Sequence, residues 1–156
     1  MTLLPVYSPS TAGGATIENT DDSFTTTSTL TPSFSSQAMG TASSDRIIVA
    51  TAAGFYSSGM TCGSYSIAGE TGTERLDGSG GGNRSVMFSA PVSSGTTGTM
   101  APTWISVPTS YDTSIAVWAI KGSGANPTDS GVAYAAQGSS TLLSVTVDVP
   151  AGGVVV

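Results

Sequence analysis

Residues 142–149 carry the clearest alternation in the chain: Leu143, Val145, Val147 and Val149 are interleaved with Ser144, Thr146 and Asp148. A period of two places one set of side chains on one face of an extended strand. Two other segments are continuous apolar runs, residues 46–51 (ending at Gly54) and residues 113–121 with Ile115, Val117, Trp118 and Ile120. Runs of this length predict strands buried on both faces. Residues 60–68 alternate more weakly and point Met60, Cys62, Tyr65 and Ile67 inward. Shorter strands are predicted at 73–76 (polar, at a sheet edge), 84–90, 96–107 and 131–136. Pro102 and Pro108 interrupt the 96–107 pattern and predict an edge or bulged strand there.

Glycine and proline punctuate these segments at regular intervals. The run Asp77-Gly-Ser-Gly-Gly-Gly-Asn83 reads as a loop and Pro150-Ala-Gly-Gly153 as a turn. No window shows a capped apolar stripe of helical period. Eight to ten short strands with this spacing predict an all-β antiparallel sandwich, with a jelly roll preferred over an immunoglobulin-like topology. The paired cysteines and central tryptophan of antibody domains are missing.

Residues 1–40 differ from the rest. Pro5, Pro9, Gly13, Gly14 and a Thr/Ser run predict an extended N-terminal arm with one strand near residues 23–31, followed by a sandwich domain over 41–156. Its apolar groups Leu3, Leu4, Val6 and Tyr7 are candidate anchors for a partner. At the other end, Val154, Val155 and Val156 begin a strand after a turn and then stop. They predict an edge that a neighbouring subunit, or further chain, would complete.

Composition narrows the class. Charged residues make up 9% of the 156 and apolar residues 38%, which favours a folded β domain over a disordered chain. Ten acids against four cations give a formal charge of −6. Arg46, Arg75, Arg84 and Lys121 are too scattered for a phosphate-binding patch, so nucleic acid is not an expected partner. An acidic chain without a twenty-residue apolar span is not expected to bind or cross a membrane. The start of the chain lacks the basic and apolar regions of a secretory signal.

The chemistry-bearing residue types are few. Histidine is absent, which removes the commonest general base and the usual zinc ligands. The ten carboxylates sit mostly beside Gly, Ser or Asn in turns, where they accept local backbone bonds. The Asp77, Ser79 and Gly81 spacing begins like a calcium loop, but Phe88 stands where the bidentate glutamate belongs. Cys62 is the single cysteine and reads as a small buried hydrophobe. The aromatic residues offer a sugar-binding platform, although core packing accounts for the same rings. These features predict a protein that is not an enzyme and uses no metal or cofactor.

Four segments carry a resemblance: Ser43-Ser-Asp-Arg-Ile-Ile-Val-Ala50, Phe88-Ser-Ala-Pro-Val-Ser-Ser-Gly-Thr96, Ser114-Ile-Ala-Val-Trp-Ala-Ile120 followed by Pro127-Thr-Asp129, and Ser144-Val-Thr-Val-Asp-Val-Pro-Ala-Gly-Gly-Val154. In these strand-and-turn patterns the chain resembles small virion structural proteins of tailed bacteriophages. The resemblance implies a decoration (cement) protein on the outer surface of the head, bound to the major capsid protein as a homo-oligomer, with a trimer favoured. A tail or fibre module recognising host surface glycan is the alternative.

Overall fold

The structure, a computed structural model, describes residues 15–55, 60–80, 83–105 and 111–122. Among them lie nine strands and no helix: β1 (Thr16–Thr27), β2 (Phe34–Ala38), β3 (Ile47–Phe55), β4 (Thr61–Ile67), β5 (Glu70–Thr71), β6 (Thr73–Gly80), β7 (Asn83–Pro91), β8 (Thr97–Ile105) and β9 (Tyr111–Lys121). They form a five-stranded sheet, β1-β9-β3-β7-β6, and a four-stranded sheet, β2-β8-β4-β5. The pairing is antiparallel and nested, with β1 on β9, β2 on β8 and β3 on β7. A long hairpin paired in this way rolls over into two packed sheets. Most of its connections then pass from one sheet to the other. This is the strand order of a jelly roll, as the strand spacing predicts, with β6 added beyond β7.

The two apolar runs take the central positions. β3 sits in the middle of its sheet, between β7 and β9. Ile48, Ala50 and Ala52 of β3, with Ile115, Val117 and Ala119 of β9, face inward against Cys62, Tyr65, Ile67, Met100 and Trp104 of the second sheet. The rings of Tyr65 and Phe88 meet across the core with centroids 5.3 Å apart. Met60, Cys62, Tyr65 and Ile67 are all buried, as the 60–68 pattern predicts. A register shift between Cys62 and Ser64 lets both Cys62 and Tyr65 face inward despite their odd spacing.

Three expectations are corrected. Residues 16–38 are not part of an arm: β1 is an outer strand of the five-stranded sheet and β2 an outer strand of the other. Asp21 Oδ2 accepts the Ala38 amide at 2.7 Å and Ser23 Oγ donates to Gln37 Oε1 at 2.8 Å, which ties the two strands together across the gap between the sheets. Proline does not put β8 at an edge: it lies inside its sheet between β2 and β4, and each of its two ladders carries the register shift that the bulged alternative expects. Phe34 pairs with Met100 and the Leu30 carbonyl accepts the Trp104 amide, so the same register sets Pro32 opposite Pro102. Neither residue has an N–H to lose, and both are buried. Finally, the glycine run does not open a loop at Asp77. β6 continues to Gly80, pairing Asp77 with Val86 and Gly78 with Ser85.

One end of the sandwich is closed by Arg46, whose side chain is 1% exposed. Nε donates to the Val92 carbonyl, Nη1 to the Met39 and Gly40 carbonyls, and Nη2 to the Ser94 and Gly95 carbonyls, over 2.7–3.1 Å. A guanidinium has five N–H donors, and all five are used. Gly40 and Gly95 have φ of +65° and +72°, a left-handed conformation that turns their carbonyls toward the cation at little cost for glycine. Burial lowers the Arg46 pKa from its ordinary value, yet the group stays protonated at neutral pH. One side chain thus joins the β2–β3 and β7–β8 connections.

Candidate functional site

The opposite end of the sandwich is built differently. It is formed where β3 and β8 finish and β7 and β9 begin. Four large apolar side chains are strongly exposed among the described residues: Phe24, Leu30, Phe55 and Ile105. All four lie in this half. Phe55 and Ile105 are the last residues of β3 and β8, Leu30 is bonded to Trp104 next to Ile105, and Phe24 pairs with Ser114 near the start of β9. Single exposed apolar residues are ordinary, and it is their concentration in one half of the sandwich that sets this end apart.

The interior of this end is also unlike the rest of the core. Trp104 lies over Gly54, where an added Cβ would come within 3.2 Å of the indole. Gly54 pairs with Thr113 on one side and Arg84 on the other. Trp104 Nε1, Thr113 Oγ1, Arg84 Nε and Asp77 Oδ1 are all buried without a hydrogen-bond partner. Asp77 Oδ2 forms an ion pair with Arg84 Nη2. Among the described residues no cluster of His, Cys, Asp or Glu could hold a metal ion.

The outer face of the five-stranded sheet adds a second feature. The bulge between Asn19 and Asp21 keeps Ile17, before it, and Phe24, after it, both on this face. Ile17, Ile47, Val49, Met87, Trp118 and Ile120 form an apolar cluster there, so Trp118 stands outside the main core. Toward the Phe55 end the cluster gives way to a shallow trough of about 280 Å³. Its lining includes the small side chains Ala53, Ser85, Ser114 and Ala116, with Leu76 and Met87 beside them.

The remaining candidate residues have local roles. Asp45 accepts hydrogen bonds from Ser43 and from the Gly122 amide, and these hold its carboxyl below the usual range. Asp112 accepts from Thr26 Oγ1 at 2.6 Å. Tyr65, Trp104 and Tyr111 are buried in the core, whereas the described rings of Phe24 and Phe55 are exposed. Leu3, Leu4, Val6 and Tyr7, the segments 131–136 and 142–149 expected as strands, and Val154, Val155 and Val156 lie outside the described residues.

Cys62 is buried, its thiol donating to the Ser64 carbonyl at 3.3 Å. Burial pushes its pKa up to about 11, against the 9.0 of an unburied thiol. Thiolate is the reactive form, so a disulfide reagent at pH 8 should label Cys62 only after unfolding. The folded state also keeps this proton where the unfolded chain has lost it. The resulting stability is complete below pH 9 and declines as pH rises toward 11. Urea midpoints measured from pH 8 to 11 should therefore fall more steeply in the native sequence than in Cys62→Ala. Equal slopes would place the thiol in water.

Comparison with protein-family models, with characterised proteins and with solved structures finds no match to this chain.

Proposed function

We propose that this chain is a non-enzymatic structural module of a tailed-bacteriophage particle, docking on the major capsid protein at the outer surface of the head. The observation that carries the reading is the difference between the two ends of the jelly roll. One end is locked by the five bonds of Arg46. The other presents Leu30, Phe55 and Ile105 to solvent around its rim. A rigid sandwich with apolar groups at one end suits docking on a protein shell, since little order is lost on binding. The bacteriophage setting rests on the sequence resemblance in strands β3, β7 and β9.

Purified protein added to undecorated heads and sedimented with them gives the test. Phe55→Ser combined with Ile105→Ser should weaken binding at least about tenfold, the scale of one moderate interface contact. Its denaturation midpoint should be unchanged, because both side chains are more than half exposed. Undiminished binding by the double variant would remove the rim from the interface.

A second reading, a tail or fibre module for host glycan, is favoured by the trough, where the Ser85, Ser114 and Thr51 hydroxyl side chains lie in the same face as the Phe24 ring. Hydroxyls beside an aromatic face suit a sugar. A glycan array without signal, with antibody labelling confined to heads, would dismiss it.

A further inference from the structure

We propose that two copies of this chain pair through the free edge of β1, with Phe24 opposite Phe24 of the second copy, joining the five-stranded sheets into one continuous sheet. The inference concerns self-association and does not depend on what the other end of the molecule docks against.

The two sheets end in β1, β6, β2 and β5 among the described residues. Exposed edges invite pairing and are usually blunted by charge, bulges, proline or brevity. β5 has two residues. β2 is short and irregular, with Ser36 at a φ of 59°. β6 carries a register shift between Glu74 and Leu76, and bears Glu74, Arg75 and Asp77. The first half of β1 has Glu18, Asp21 and Asp22 with its own bulge. Its second half, Ser23-Phe-Thr-Thr-Thr27, has no charge, proline, glycine or bulge. At 67% exposure, Phe24 stands in the middle of the one edge that, among the described residues, is left without a guard.

The backbone direction follows from a neighbour. The Val117 carbonyl accepts from the side chains of Asn19 and Thr20, so it points from β9 toward β1. Alternate residues of a strand point the same way, hence Thr113 and Ile115 do too, as do their partners Thr25 and Ser23 in return. The amides and carbonyls of Asp22, Phe24 and Thr26 therefore face the open edge. Pairing to β9, the Ser23–Gln37 bond and the Thr26–Asp112 bond hold this edge in place before any partner arrives.

Register selects the second copy as occupant. A two-fold axis at Phe24 pairs Phe24 with itself and Asp22 with Thr26 of the second copy, each pair exchanging both backbone bonds. No acid then faces an acid, Thr-rich backbone meets its like, and the two Phe24 rings share one face of the joined sheet. An axis at Asp22 would set two carboxylates directly opposite. An axis at Thr26 would draw on Ser28 and Leu30, beyond the end of β1.

The full chain, studied by sedimentation velocity over a range of concentrations, should show a monomer–dimer equilibrium. Phe24→Lys and Phe24→Glu, each alone, should weaken dimerisation at least tenfold by placing like charges face to face. Mixing the two should restore it, which only the Phe24-to-Phe24 register accounts for. Phe55→Lys, on the same face but away from the edge, should leave it unchanged. A monomer at every concentration, a trimer, or no restoration on mixing would overturn the proposal. Failure of the native chain to bind heads while it still forms dimers would count against the docking role alone.

Discussion

Replacing Arg46 by methionine is expected to lower folding stability by about 3–5 kcal/mol, the scale for removing one member of a buried charged network. Methionine fills much of the volume but offers no donors. Five carbonyls, those of Met39, Gly40, Val92, Ser94 and Gly95, would lose their partner at once. Each buried acceptor left bare costs about 1–3 kcal/mol, reduced where water can enter. For a domain of this size the melting temperature should fall by on the order of 10 °C. Arg46→Lys should recover little, since an ammonium has three donors and no planar fork. Gly95→Ala tests the same clamp from the acceptor side, because a Cβ at φ +72° costs about 1–2 kcal/mol. Urea denaturation of the three variants measures these effects. A loss under about 1 kcal/mol in Arg46→Met would mean that the loops hold themselves.

Trp104 should produce the other large effect. It is among the largest fully buried side chains, and it packs over Gly54 beside Met60. Trp104→Ala is expected to cost about 3–5 kcal/mol through lost burial and the cavity left behind. Trp104→Phe should cost much less, about 1–2 kcal/mol, because the Nε1–H has no acceptor to lose. A wide gap between the two substitutions is the expected signature of an indole held by packing alone. Equal losses would show that the N–H is bonded in solution, by water or by a ligand at this end. Trp118, on the outer face of the five-stranded sheet, remains as a fluorescent reporter in both variants.

Several features were legible in the residues alone. The apolar runs of β3 and β9 announced central strands, and the polar Thr73–Leu76 segment announced an edge. Residues 16–38 were harder to read. β1 is rich in threonine and acid, and its inward groups Asp21 and Ser23 are satisfied by hydrogen bonds to β2 rather than by apolar contact. A strand stabilised in that way has no hydrophobic signature. Pro102 misled for a related reason. Its effect depends on what lies opposite, and what lies opposite is Pro32, seventy positions earlier.

The open end was legible only in part. Phe55 and Tyr111 are both aromatics at a strand end, and nothing local separates the exposed ring of the first from the buried ring of the second. Where both faces of a strand are apolar, as in β9, periodicity cannot tell the main core from the outer cluster of Trp118 and Ile120. Arg46 likewise read as one of four scattered cations. Its acceptors come from residues 39–40 and 92–95, which are adjacent only once the sandwich has rolled up.

Strand formation, the all-β class and the scarcity of catalytic side chains follow from local preference and composition, which need no partner in space. Which edge is left open, which end is locked and which rings reach solvent depend on long-range strand pairing. Those contacts join residues far apart in the chain, so only the tertiary structure could decide them.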